Sequence, residues 1–213
     1  MTYDIISTGS KGNAVVINER ILIDCGVPFK VLQKYERTLS TVLLTHIHGD
    51  HFKCTTLSRL ARSRTTLRFV CGKHLVEPLI RCGIKENNID VVDSDHRYMY
   101  YHVTIEPVDL VHDVPNMGYK LYLPSGEKVF YATDTAHLNG IEAKGFDLYL
   151  VEANYVTDEI DKRIDEKKAN AEFSYERRAK RYHLSKELAD DFIYKNIASN
   201  GSYVYLHSHR DEI

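Results

Sequence analysis

The chain has 213 residues, 43% of them hydrophobic and 27% charged, with a formal net charge of -2. Those values describe a globular chain long enough for an ordinary core, and they exclude a disordered or fibrous protein and a whole-molecule field advertising an anionic partner. No stretch approaches the roughly 18 apolar residues of a membrane helix, and the start, MTYDIISTGSKGN, has neither a basic nor an apolar leader region, so a cytoplasmic chain without a membrane partner is expected. A single domain over residues 1–213 is the default. Cys25, Cys54, Cys71 and Cys82 are irregularly spaced with no CxxC pair, which predicts reduced, mostly buried thiols.

In chain order, YDIIS, AVVI and ILID alternate with the turns GSKGN and Asn18-Glu19-Arg20, predicting antiparallel strands. Pro28 opens a helical FKVLQKYER, and TVLL reads as a buried strand. TTLSRLARS, LRFVC, KHLVEPLIRC and IDVVD then alternate helix and strand. A β-rich part follows, YHVTIEPVDLVHD, GYKLYL, the turn Pro124-Ser125-Gly126, KVFYATD and FDLYLVEAN. From about 156 to 196 the pattern is helical and charged, with one break near Tyr182 to Ser185, where Ser185 caps the next helix. DEIDKRIDEKKANAEFSYERRAKR alternates signs closely and reads as a solvated helix stitched by i,i+4 pairs. SYVYLHSH closes the chain as a strand ending in histidines.

Histidine chemistry stands out. HIHGDH packs His46, His48, Asp50 and His51 into the loop leaving the TVLL strand. Imidazole and carboxylate groups converging at about 2 Å on one point suit a divalent transition metal. His46 and His48 project to one side of an extended strand end, and Gly49 frees the chain to aim Asp50 and His51 elsewhere, so two metals roughly 3.5 to 4 Å apart are the natural outcome. Further ligands are expected at strand ends: His112 after EPVDLV, Asp134 after KVFYAT and His207 after SYVYL, with Asp134 the best bridging carboxylate.

HIHGDH, the histidine of DLVHDVPNMGYKL, the aspartate of ATDT and a terminal strand-end histidine, in that order, resemble the metallo-β-lactamase fold superfamily of dinuclear hydrolases. The resemblance implies an α/β fold, a four-layer αββα sandwich. By position it assigns His46, His48 and His112 to the first metal, Asp50, His51 and His207 to the second, and Asp134 to both. GSKGN, LVEANY, HLSKE and HSHRDE resemble the GSxGN, ESNH, HLSNE and HLSRDN segments of the YycJ-type, exonuclease-like branch. That alignment favours His207 as the last ligand and leaves His209 as the alternative, because it needs a one-residue deletion before His207.

A water between two such cations loses its proton near neutral pH, so hydrolysis by a bridging hydroxide is expected, with Asp50 orienting it. His183 resembles the histidine that contacts the scissile phosphate or protonates the leaving group in phosphodiesterase members; its bland alternative is a helix-capping surface residue. Between His51 and Glu77 lie Lys53, Arg59, Arg62, Arg64, Arg68 and Lys73 and no acid, either a positive outer face or a local attraction for phosphates. Ser10, Lys11 and Asn13 form a turn suited to an anion, and Asn154 and His209 complete the candidate substrate contacts.

The leading expectation is a metal-dependent phosphodiesterase acting on nucleic acid, DNA above all. The alternatives are hydrolysis of a cyclic nucleotide, thioester or lactone, and a non-catalytic metal-containing binding module. Zinc, manganese and iron all suit the ligands, and oligomeric state is not readable.

Overall fold

The computed structural model describes residues 1–208. The chain divides into two compact units, Met1–Pro107 and Val108–Ile213.

In the first unit, β1 (Tyr3–Ser7), β2 (Ala14–Ile17) and β3 (Ile21–Ile23) pair antiparallel, and β4 (Thr41–Leu44), β5 (Arg68–Cys71) and β6 (Ile89–Val91) continue the sheet in parallel. The order is β1-β2-β3-β4-β5-β6. The helices are α1 (Phe29–Leu32), α2 (Cys54–Ser63) and α3 (Val76–Arg81). Leu57 and Leu60, one turn apart on α2, join Leu22, Val42, Leu44 and Phe69 in the core; each such side chain withdrawn from water contributes about 1.5 to 3 kcal/mol.

Cys54, at the start of α2, and Cys82, just past α3, form a disulfide with Cα atoms 5.3 Å apart. This corrects the expectation of four reduced thiols; their sequence separation of 28 conceals the approach. Cys25 and Cys71 are buried and free.

β7 (Tyr98–Tyr100), β8 (Val103–Leu110), β9 (Asn116–Tyr122), β10 (Lys128–Ala132), β11 (Leu148–Glu152) and β12 (Ser202–Leu206) form the second sheet, ordered β12-β11-β10-β9-β8-β7. β10, β11 and β12 are mutually parallel. Phe130, Ala132, Tyr149 and Val151 face Leu184, Phe192 and Ile193 in the second unit's core.

The charged segment forms α4 (Thr157–Ala169), α5 (Glu176–Tyr182) and α6 (Lys186–Asn196). Ser185 caps α6 by accepting from the Leu188 N–H. A second break, after α4, was not expected: Ala171 takes the left-handed conformation (φ 54°) and turns the chain without glycine or proline. Lys167–Glu176 and Lys180–Asp161 therefore tie α4 to α5 instead of running along one helix. Among the described residues no helix is long and apolar enough to cross a membrane.

Candidate metal centre

Parallel pairing of β3 with β4 sets Ile23 beside Leu43, so Asp24 and Thr45 leave the sheet together. Asp24 is fully buried and a bare carboxylate there would be costly. It accepts from the Thr45 N–H at 3.0 Å and from the Thr45 hydroxyl at 2.9 and 3.0 Å, and lies 2.7 Å from Nδ1 of His51. These contacts fix two tautomers. The Thr45 hydroxyl has given its hydrogen to Asp24, so its oxygen accepts from Nδ1 of His46 at 2.9 Å; Nδ1 of His51 donates to Asp24. In a neutral ring so held, Nε2 carries the lone pair. Nε2 of His46 lies 3.2 Å from Nδ1 of His48.

The loop closes tightly. Phe52 N–H and His51 N–H both return to the His48 carbonyl, at 2.8 and 2.9 Å, and Cys25 N–H donates to the His51 carbonyl at 2.8 Å. Gly49 is surrounded by open space and its φ is not positive. The indispensable glycine is Gly26, where a Cβ would stand 1.7 Å from the Asp50 carbonyl oxygen. Asn13, in the GSKGN turn, donates its N–H to that same carbonyl at 2.6 Å. His74 donates Nε2–H to the Thr45 carbonyl at 3.2 Å, while burial lowers its pKa.

In the second unit the parallel strands bring Glu152 to the end of β11, with Asp134 two residues past β10 and His207 next after β12. Asp134 and His207 both have positive φ, 55° and 50°, as Asp24 does at 58°. Such backbone in residues other than glycine costs about 1 kcal/mol or more and marks places where side-chain direction overrides backbone preference. Glu152 is fully buried. Its Oε2 accepts from the Thr135 and Leu184 N–H groups at 3.0 and 3.1 Å, and Oε1 lies 2.6 Å from Nδ1 of His183 and 3.2 Å from Nδ1 of His207. Oδ1 of Asp134 stands 2.8 Å from Nδ1 of His207 and 3.1 Å from Nδ1 of His183.

Two carboxylates thus share two imidazoles. Burial opposes charge on His183 and His207, but their bonds to Asp134 and Glu152 prevail and raise them to about 9 and about 10. Burial would raise Glu152, yet the same histidines hold it below its ordinary value. His112 donates Nδ1–H to the Tyr182 carbonyl at 3.0 Å; burial lowers its pKa against the pull of Asp134. Arg178 pairs with Asp113, next to His112, and so ties α5 to this loop.

Over residues 19–189 the sequence matches the family described as the beta-lactamase superfamily domain. The chain belongs to this superfamily. No curated protein sequence matches it significantly. Among solved structures it is similar to the metallo-beta-lactamase fold protein YhfI from Bacillus subtilis, at 16% identity and a TM-score of 0.72 over 99% of this chain and 87% of that one. It is similar to the short form of human tRNase Z at 17% identity and 0.71, covering 100% and 95%, and to a diphosphatase of the PhnP family at 11% and 0.63, covering 97% and 85%. The two mixed sheets with their helices are those of the αββα class expected for a metallo-β-lactamase fold.

The donor groups of this superfamily member fit a divalent metal. Two nitrogens each about 2.05 Å from a tetrahedral centre stand roughly 3.3 Å apart, close to the His46–His48 spacing. Nδ1 of His46, His51 and His112 is committed to an oxygen, the outer bond that orients a ligating imidazole. Asp134, Glu152, His183 and His207 form one group whose ligand atoms lie within 4.8 Å of each other. Thiolate ligation has no source here: burial pushes the Cys25 thiol far up and that of Cys71 to about 12.

The predicted residues fall in two sets. His46, His48, Asp50 and His51 meet in the first unit, with Asn13 against them; Ser10 and Lys11 are exposed in the same turn. His112, Asp134, His183 and His207 meet in the second, where Asn154 is buried and donates to the His207 carbonyl at 3.2 Å. His183 is the C-cap residue of α5 and is half-buried, with its ring turned to Glu152 and Asp134. His209 lies outside the described residues. Of the basic run, Arg59 stacks 4.0 Å over the Phe29 ring, Arg64 reaches the Arg37 carbonyl and Arg68 pairs with Asp90, so three cations serve the fold.

Sequence reading missed Asp24, Thr45 and Glu152. The available signal was an acid closing an apolar strand, in ILID and in LYLVE.

Proposed function

We propose that the chain is a hydrolase requiring two divalent metal ions, zinc with manganese or iron as alternatives, that cleaves phosphodiesters of nucleic acid, DNA first among them. His46, His48 and His112 would hold one ion, Asp50, His51 and His207 the other, and Asp134 both. Two bound cations lower the pKa of water and neutralise charge developing on the attacked group. Asp50 would orient that water.

The observation that carries the reading is His183. Its Nδ1 is bonded to Glu152 at 2.6 Å and stands 3.1 Å from Asp134, which leaves Nε2 as the ring's remaining polar atom. A histidine so held can bond a phosphate oxygen and give a proton to a leaving oxygen, a role worth about 10² to 10⁴ in rate. Glu152 touches no substrate in this scheme; it fixes the ring. A thioester, which leaves as a thiolate, makes a weaker demand for such an acid. Two of the proteins of similar fold are named a tRNase and a diphosphatase, which agrees with phosphate chemistry.

The test is to load the protein with zinc, manganese or iron and offer end-labelled duplex DNA, a tRNA precursor, cyclic nucleotides and a thioester. Release of mononucleotides from DNA is expected. Cleavage of cyclic nucleotides alone would move the assignment to small phosphodiesters, and hydrolysis of the thioester alone would overturn it. A non-catalytic module is indicated if Asp134→Ala lowers only thermal stability.

A further inference from the structure

Asn13 stands where a metal ligand's lone pair is directed. Its side chain is buried, and its orientation is fixed by the backbone: the Gly9 N–H donates to Oδ1 at 2.8 Å, and the Gly9 and Asp50 carbonyls face Nδ2 at 3.1 and 3.3 Å. The amide nitrogen must therefore point inward, where it meets Nε2 of His51 at 2.8 Å. Because Nδ1 of His51 is committed to Asp24, Nε2 is the accepting nitrogen, and the contact is an N–H···N hydrogen bond. The bond is built in. Gly12, at φ 142°, would place a Cβ 2.8 Å from the Gly26 carbonyl oxygen, so the turn carrying Asn13 is pressed onto the chain that backs Asp50.

We propose that Asn13 is a placeholder for the metal at His51, a positioning residue that competes with the cation for Nε2. This rests on the two-metal reading given above. In the metal-free protein the amide keeps the buried ring neutral, in the ligating tautomer and hydrogen-bonded. On loading, the lone pair passes to the cation and the amide N–H must leave it. Oδ2 of Asp50, 3.5 Å from Nδ2, is placed to receive it. The same residue would thus hold the His51 side of the site open and then orient Asp50 once it is filled. Competition of this size weakens binding by up to about tenfold, the value of one hydrogen bond.

The experiment has two arms. In ¹⁵N-labelled metal-free protein, a scalar coupling between Asn13 Nδ2 and His51 Nε2 is expected and should vanish on addition of zinc; its absence before zinc overturns the proposal with no variant required. Calorimetric titration of zinc into Asn13→Ala should give binding about three- to tenfold tighter at one of two sites. Asn13→Ser, which retains an acceptor for Gly9, guards against misfolding and should behave alike. Unchanged or weaker zinc binding in folded variants overturns the placeholder role and leaves the metal reading standing. If wild-type protein binds no zinc, manganese or iron, both fall.

Discussion

The two units hold their histidine and carboxylate clusters by opposite means. In the first, one buried carboxylate, Asp24, orients the histidines through hydrogen bonds, directly at His51 and by way of Thr45 at His46. In the second, two buried carboxylates, Asp134 and Glu152, hold His183 and His207 as cations. The second balances its charge with protons that a metal would have to displace, so uptake there releases protons and strengthens as pH rises.

Four measurements would break or sharpen that contrast. Asp134→Ala removes the proposed shared carboxylate, and turnover on DNA should fall by on the order of 10⁴ or more, with loss of bound metal by elemental analysis. His183→Ala should lower kcat by about 10² to 10⁴ with metal content intact; Glu152→Gln should approach the same value, and the double variant should add little, since Glu152 acts through the ring. Asp24→Asn leaves the sheet untouched but unsettles the His46 and His51 tautomers, so metal affinity measured by calorimetry should weaken about 10- to 100-fold while kcat at saturating metal changes less.

The smallest effect is on pH-dependent stability. His183 and His207 are raised above their ordinary 6.5, so their stabilisation is complete below about pH 6.5 and is lost as pH rises through about 9 and about 10. Glu152 is lowered from 4.5, and its share is lost as acid protonates it. Metal-free protein should therefore melt at progressively lower temperature from pH 7 to 10, by calorimetric scans, and metal-loaded protein should not follow. A Tm that climbs over that range would refute the cationic description of the second unit.

Much of this was readable beforehand because strand ends are readable. HIHGDH after TVLL, Asp134 after KVFYAT and His207 after SYVYL each follow an apolar run whose length sets where the side chain emerges. Asp24 and Glu152 follow such runs as well, but an acid at a strand end is also an ordinary turn residue, and only the parallel register of β3 with β4 and of β11 with β12 reveals their partners. The Cys54–Cys82 bond and the Asn170–Tyr175 break depend on approaches between distant segments or on a left-handed alanine, which no local pattern announces. Gly26 is hidden in the same way: its close approach to the Asp50 carbonyl comes from another loop and leaves no mark within the motif.

The left-handed backbone at Asp24, Asp134 and His207 has a consequence for anyone who evolves or redesigns this chain. Glycine would relieve the backbone there by about 1 kcal/mol, but it costs chain entropy on folding and strips a partner from the buried carboxylate–imidazole cluster, so Asp134→Gly and His207→Gly clones should be less sturdy as well as inert. A library built for yield or heat resistance should hold those positions constant.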